Sequence, residues 1–143
     1  MMKPRTRKSW EETALILAET IAKCRSQDPY VQVGACAVLL DNSIALGYNG
    51  APPGIEIDWS ERESRGARVI HAEVNALRSV MPGQCKFLAV TLLPCRNCMT
   101  FIASKGIRKV VYREVYERDK LAFALAREFG IELVQMPPKR PSK

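Results

Sequence analysis

The stretch "KFLAVTLLPCRNCMTFIASKGIRKVVYRE", residues 86–114, contains three successive patterns that decide the fold. Residues 86–93 and 107–114 are rich in apolar and β-branched side chains and predict strands. Between them, residues 95–106 predict a helix that ends at Gly106, because glycine readily adopts the left-handed conformation that closes many helices. A strand, a helix and a second strand in this order predict a layered α/β sheet.

The rest of the chain continues this alternation. Ser9 and Glu12 form a predicted capping box, and the apolar face of Trp10, Ala14, Leu17 and Ile21 predicts a helix over 10–25 that "SQDPY" breaks. The further predicted strands are 33–40, 43–48 and 131–135, and the further predicted helices are 71–80 and 118–130. The first two strands form an antiparallel hairpin across "DN". The segment 49–68 is polar, contains Gly and Pro, and is predicted to be irregular and functional.

Length and composition predict one domain, residues 1–143. No window approaches the 18 apolar residues of a membrane span, and the basic start has no apolar segment behind it, so we expect a cytoplasmic protein that does not bind membranes. Five cysteines are an odd number in such a chain. They favour thiols or a metal site over a disulfide framework.

The formal charge of +7 suits anionic ligands. Residues 3–8 and 137–143 together carry seven Lys or Arg and no acidic residue. We therefore expect flexible basic tails at 1–8 and 137–143, and we do not expect a dedicated nucleic-acid surface.

Two short motifs begin the predicted helices at 71 and 95. His71 stands two residues before Glu73, and Cys95 and Cys98 form a Cys-x-x-Cys pair. Taken alone, His-x-Glu occurs by chance, and a Cys-x-x-Cys pair also fits a redox couple, half of a structural zinc site or two buried thiols. "TLLP" before Cys95 is not the context of a thioredoxin-like couple.

Together the motifs predict a catalytic zinc. His71 is the only histidine in the chain and begins a helix. One imidazole and the thiolates of Cys95 and Cys98 make three protein ligands, and a catalytic zinc keeps its fourth position open. A helix N-terminus and the metal both favour the thiolate form. The Glu73 carboxylate can then take a proton from the activated water and deliver it to a leaving group.

The motifs also carry a resemblance. The run "GYNGAPPG" (47–54), "HAEVNAL" (71–77), "TLLPCRNC" (91–98) and "GIRKVVY" (106–112) resembles the deoxycytidylate deaminase family over residues 10–135. The resemblance implies a cytidine deaminase-like three-layer α-β-α sandwich with a five-stranded mixed sheet. It implies one zinc on His71, Cys95 and Cys98, with Glu73 as proton shuttle. The implied reaction converts dCMP and water to dUMP and ammonia, which supplies dUMP for thymidylate synthesis.

The resemblance also implies substrate contacts. In the family, an asparagine in the loop before the zinc helix contacts the sugar or base, and Asn49 is the matching residue. The neighbouring glycines would let backbone approach the ligand, although Asn-Gly is also a common turn dipeptide. Arg62, Arg65 and Arg68 are candidate phosphate ligands, or else part of a solvated charged loop. Tyr116 matches an aromatic residue that the family places near the nucleotide.

The chain departs from some members of the family. Residues 51–70 contain no Cys or His, and no histidine is left to join Cys24, Cys36 and Cys85, so we expect one zinc per chain. The connection is also short for the regulatory segment of longer members. A homo-oligomer, often a hexamer, and dCTP and dTTP as effectors are implied by the family alone.

Other functions remain open at this point. A polynucleotide deaminase, acting on tRNA adenosine or single-stranded DNA cytidine, would use the same zinc chemistry and would suit the +7 charge. Against it stand the "GYNG" loop and the lack of a basic-aromatic stripe. Deaminases of free cytidine, blasticidin, guanine and riboflavin precursors share the zinc signature. A non-catalytic zinc module would have no use for Glu73.

Overall fold

The structure is a computed structural model that describes residues 1–115 and 119–138. The helices within these ranges are Trp10–Arg25 (α1), Arg62–Arg68 (α2), Ala72–Leu77 (α3), Arg96–Ser104 (α4) and Lys120–Glu128 (α5). The strands are Gly34–Leu39 (β1), Ile44–Tyr48 (β2), Cys85–Leu92 (β3), Lys109–Glu114 (β4) and Glu132–Gln135 (β5). Among the described residues, no helix has the length and apolar content needed to cross a bilayer.

The strands form one mixed sheet in the order β2-β1-β3-β4-β5. β1 pairs antiparallel with both β2 and β3, whereas β4 pairs parallel with both β3 and β5. The predicted antiparallel hairpin and the predicted five-stranded α/β sheet are therefore confirmed.

Helices cover both faces of the sheet. Side chains alternate across a strand, so neighbouring residues of β1 belong to different cores. Cys36 and Val38 pack with Leu15 of α1, whereas Ala35 and Ala37 lie in the core of the opposite face. That second core takes its helical members from α3, α4 and α5, namely Ala72, Ala76, Leu77, Met99, Ile102, Ala122 and Ala126. The result is the expected three-layer sandwich.

The first helix begins as predicted but buries a different stripe. Ser9 Oγ accepts a hydrogen bond from the Glu12 backbone N–H at 3.1 Å, which caps α1. The buried residues of α1 are Ala14, Leu15, Ala18 and Ala22, whereas the predicted Trp10 is 42% exposed. Small side chains face the sheet because the helix lies almost directly on β1. A Cβ on Gly34 would stand 1.8 Å from the Ala18 carbonyl oxygen.

The prediction that 49–68 is irregular throughout is wrong at its end. Residues Arg62–Arg68 form α2, a helix of seven residues. None of its residues is buried, and its N-cap residue Glu61 makes no side-chain capping bond. The usual sequence signals of a helix are an apolar stripe and a capping residue, and α2 has neither.

β2 and α3 touch backbone to backbone at Gly47. A Cβ on Gly47 would lie 2.2 Å from the Ala76 amide nitrogen and 2.4 Å from the Ala72 carbonyl oxygen. Beside this contact, Asn75 Nδ2 donates a hydrogen bond to the Tyr48 carbonyl at 2.6 Å. The first glycine of "GYNG" thus lets the sheet approach a helix, where the sequence predicted an approach to the ligand.

A buried arginine joins β4 to the first helix. Arg113 is 5% exposed, and its guanidinium donates to Glu12 at 3.0 Å and to Glu19 at 3.1 Å. It also donates to the backbone carbonyls of Met136 and Pro137, each at 3.3 Å. These bonds hold the chain after β5 against α1. Arg113 lies more than ninety positions from its two partners on α1 in the sequence.

We predict that Gly47→Ala destabilises the protein by about 1–3 kcal/mol or more, because the new methyl group would overlap backbone atoms that cannot rotate away. Urea unfolding measures the loss, and zinc content after purification reports whether α3 has moved. Unchanged stability would contradict the close contact.

Gly66→Ala is the matched control. Gly66 lies in α2, has ordinary helical backbone, and a Cβ there would meet nothing within 4 Å. Alanine is the better helix former, so this substitution should leave stability unchanged or raise it by up to about 1 kcal/mol.

Candidate active site

The three predicted metal ligands all lie at the starts of helices. His71 is the N-cap residue of α3, and Cys95 is the N-cap residue of α4. Neither side chain makes a capping hydrogen bond, so both are available to bind another group. The entry to α3 is fixed by a β-bridge in which Gly50 and Ile70 exchange backbone hydrogen bonds of 3.1 and 2.8 Å.

The side chains of these residues converge. His71 Nδ1 lies 3.3 Å from Cys98 Sγ and 3.6 Å from Cys95 Sγ. The three ligand atoms all lie within 4.8 Å of one another. His71 reaches solvent, Cys95 is half-buried and Cys98 is buried. The group is therefore open on one side.

This geometry fits zinc. With Zn–S of about 2.3 Å and Zn–N of about 2.0–2.1 Å, tetrahedral coordination places nitrogen and sulfur ligands about 3.6 Å apart. The two N···S distances are 3.6 and 3.3 Å, and one imidazole with two thiolates is a donor set that zinc prefers. Three ligands leave the fourth position free.

The thiols of Cys95 and Cys98 differ in pKa. Hydrogen bonds from Cys98 and from His71 lower the pKa of the Cys95 thiol to about 4. The hydrogen bond to Cys95, together with burial, raises the pKa of Cys98. The hydrogen bond with Cys95 raises the pKa of His71. Without a metal, Cys95 is therefore the more acidic of the two thiols, and the thiolate is the form that ligates metals.

Glu73 lies in the first turn of α3, beside this group. The residue is 4% exposed. Burial raises the pKa of its carboxyl group to about 7, although the nearby His71 opposes the shift. A carboxyl group with a pKa near neutrality can both accept and release a proton at physiological pH, which is what a general acid–base group requires.

A cavity of about 310 Å³ opens next to the ligand group. This volume lies at the lower end of the range typical of small-molecule sites. Its polar and charged lining residues are Asp28, Asn49, Arg62, Arg65, His71, Glu73 and Cys95. Its larger apolar lining residues are Val31, Val33, Val69, Leu92 and Leu93. Most of the predicted site residues therefore share one cavity.

The three candidate phosphate ligands do not all lie on the cavity. Arg62 and Arg65 line the cavity, whereas Arg68 does not. The Arg68 guanidinium donates to the Ser64 carbonyl at 3.1 Å and lies beside a separate surface depression. Arg65 is held in place, because its guanidinium stacks 4.1 Å from the Tyr30 ring centroid.

Two further predicted contacts have different outcomes. Asn49 lines the cavity and is 5% exposed, but its side-chain amide is hydrogen-bonded to Ser26, Asp28 and the backbone of residues 31 and 33. Its role as a ligand contact stays a prediction. Tyr116 lies outside the described residues.

Sequence reasoning missed two features of the site. Asp28 lines the cavity, whereas the sequence places it only in the turn "SQDPY" that ends the first helix. Arg96, between the two cysteines, donates from Nε and Nη2 to the carboxylate of Asp119 at 3.2 and 3.1 Å. Asp119 caps α5 by accepting from the Leu121 N–H. The pair joins the ligand-bearing turn to α5, and only its charges hint at it in the sequence.

Comparison with known proteins gives consistent results. The family model for the cytidine and deoxycytidylate deaminase zinc-binding region matches residues 8–114. Deoxycytidylate deaminase of Mus musculus is 32% identical over 148 residues, which cover 91% of this chain and 81% of the mouse protein. That of Homo sapiens is 35% identical over 114 residues, which cover 72% of this chain and 64% of the human protein.

A solved structure extends the match to three dimensions. The crystal structure of dCMP deaminase from the cyanophage S-TIM5 in complex with dCMP and dUMP superposes with a TM-score of 0.77 at 32% identity. The superposition covers 92% of this chain and 100% of the phage chain. The ligand group of the site, which could hold a metal ion, agrees with the family match and with these relatives. This chain belongs to the cytidine and deoxycytidylate deaminase family.

Proposed function

We propose that this chain is a zinc-dependent hydrolase that converts dCMP and water to dUMP and ammonia. The observation that carries the proposal is one cavity lined by His71 and Cys95 of the His71, Cys95 and Cys98 ligand group, by the buried Glu73 and by two arginines. The relatives named deoxycytidylate deaminase support the choice of nucleotide. We assign the activity to a single domain.

In this proposal His71, Cys95 and Cys98 hold the zinc ion. When bound there, zinc supplies a Lewis acid that makes a water molecule easier to deprotonate. Glu73 accepts the proton that the water loses, and its burial keeps that proton from bulk solvent. The water oxygen adds to the ring carbon that bears the amino group. Glu73 then delivers a proton to the amino nitrogen, the C–N bond breaks and ammonia leaves.

The rest of the cavity binds and orients the nucleotide. Val31, Val69 and Leu92 offer apolar walls for a pyrimidine ring. Arg62 and Arg65 lie on the same lining and offer guanidinium groups to the phosphate. Arg65 is already held by Tyr30 and by a hydrogen bond to the Trp59 carbonyl at 3.3 Å, which reduces the entropy lost on binding.

The resemblance supports three further proposals about the protein. We infer a homo-oligomer, a hexamer as in many members of the family, with dCTP and dTTP as effectors. We also infer that the enzyme works in the cytoplasm, where dUMP enters thymidylate synthesis.

The first prediction of the proposed function concerns Glu73. Glu73→Gln keeps the size of the side chain and cannot take a proton, so turnover of dCMP should fall by about 10²- to 10⁴-fold. Zinc content, measured by elemental analysis, should stay at the wild-type level. Glu63→Gln in the exposed α2 is the matched control and should retain activity. Near-wild-type turnover by a zinc-loaded Glu73→Gln protein would refute the assigned role.

The second prediction concerns the phosphate. Arg62→Gln and Arg65→Gln should each raise the KM for dCMP about tenfold, because each removes one charge-assisted hydrogen bond to the phosphate. The KM for deoxycytidine, which has no phosphate, should change little. Steady-state ammonia release with both substrates measures this split. Arg68→Gln should change neither KM, because Arg68 lies outside the cavity. Equal losses on the nucleotide and the nucleoside would exclude these arginines as phosphate ligands.

A further inference from the structure

A second groove, with a volume of about 770 Å³, lies between α5 and the carboxyl ends of β4 and β5. We call it the α5 groove. None of its lining residues lines the cavity beside the metal ligands, so the proposed deamination does not use it. The lining residues are Tyr112, Val115, Lys120, Phe123, Ala124, Arg127 and Gln135.

Both charged residues of the α5 groove are cations. Lys120 and Arg127 are seven residues apart on α5, which is about 10 Å along a helix. Among the residues that the structure describes, neither side chain forms an ion pair or a hydrogen bond. No acidic residue lines the groove. The groove therefore presents uncompensated positive charge at two points, which suits a ligand with more than one anionic group.

An aromatic ring lies between the two cations on the helix. Phe123 follows Lys120 by three residues and precedes Arg127 by four, and residues at these spacings share one face of a helix. Phe123 is partly buried and packs against the core, so its ring has a fixed support. Grooves that combine cations with aromatic rings bind single-stranded nucleic acid, because the cations attract phosphates and the rings stack on bases.

The α5 groove also contains a hydroxyl group without a partner. Tyr112 is 6% exposed, and its hydroxyl forms no hydrogen bond with any described residue. Within the described part of the chain, only Arg113 Nε is fully buried without a partner, so solvent reaches the Tyr112 hydroxyl. Gln135 Nε2 donates to the Arg113 carbonyl at 3.0 Å, which leaves Gln135 Oε1 to accept. The groove thus adds an uncharged donor and an uncharged acceptor to its cations.

We propose that the α5 groove binds single-stranded nucleic acid, with Lys120 and Arg127 on phosphates and Phe123 stacked on a base. A strand supplies repeated negative charge, aromatic faces, and donors and acceptors on its bases. An acidic peptide would match the cations but would leave the Phe123 ring without a stacking partner. The sequence predicted no such surface, because the groove joins residues of three separate elements.

The experiment measures fluorescence anisotropy of a labelled oligothymidylate of about 16 nucleotides, the upper end of the usual site size. Thymine has no ring amino group to lose, and excess dUMP is added to occupy the other cavity. The wild type should bind, and binding should weaken as salt is raised. Lys120→Gln combined with Arg127→Gln should weaken binding about tenfold or more and reduce the slope of log K against log salt by about 1.4, since each phosphate contact contributes about 0.7.

Phe123→Leu separates stacking from charge. Leucine keeps an apolar side chain against the core but removes the aromatic face. This variant should weaken binding about fivefold or more and leave the salt slope unchanged, because base stacking is not an ionic contact. Wild-type affinity in Phe123→Leu would overturn the proposal, since a surface that acts by charge alone does not need the ring.

Lys23→Gln combined with Arg68→Gln is the matched control. Both residues are exposed cations outside the α5 groove, so this variant has the same net charge as the first one. It should bind the oligonucleotide as the wild type does. All variants should turn over dCMP at the wild-type rate, which shows that they are folded. Turnover of dCMP by the wild type decides the proposed function separately.

Competition identifies the occupant. Unlabelled oligothymidylate should displace the labelled strand, whereas dTMP at the same nucleotide concentration and polyglutamate at the same charge concentration should not. Displacement by dTMP would mean that the groove takes a free nucleotide, and displacement by polyglutamate would mean that any polyanion suffices. Either result would overturn the proposal, as would a wild type that does not bind or an equal loss of affinity in the control variant.

Discussion

The backbone contact between β2 and α3 at Gly47 is the constraint on which the site depends. No side chain separates the strand from the helix there, since a Cβ would lie 2.2 Å from a helix amide nitrogen. The Gly50–Ile70 bridge then fixes the residue immediately before His71. The helix that carries His71 and Glu73 is thus fixed to the sheet at two points. The other ligands follow β3, two strands away in the same sheet, so the sheet sets the distance between the two halves of the site.

The charges of the cavity follow from this arrangement. Helix N-termini favour negative groups, and the Cys95 thiolate lies at one of them. Glu73 and Asp28 add carboxyl groups to the same lining, and Arg62 and Arg65 add cations. A nucleotide presents groups that complement these charges, namely a pyrimidine amino group that donates hydrogen bonds, a sugar hydroxyl and an anionic phosphate. The cavity volume of about 310 Å³ is in the range of small-molecule sites.

Much of this could be predicted from the sequence because it rests on local signals. Capping at Ser9, the hairpin across residues 41–42 and the placing of Cys95 and Cys98 in one helical turn depend on residues close in sequence. What was missed depends on contacts between distant residues or on surface geometry. Helix α2 has no buried residue, and Arg68 lies on the face of α2 away from the cavity. Arg113 forms its ion pair with Glu12 of α1, which is far from it in the sequence. The full hydrogen bonding of Asn49 involves a loop sixteen or more residues away.

The most direct test of the central claim is ammonia release by the purified zinc-loaded protein. dCMP, CMP, deoxycytidine, dCTP and a single-stranded cytosine oligonucleotide should be compared side by side. We expect a strong preference for dCMP, because Arg62 and Arg65 on the cavity lining are placed to bind its single phosphate. Deamination of the oligonucleotide alone would contradict dCMP as the substrate, and the net charge of +7 would then become the leading guide to the true substrate.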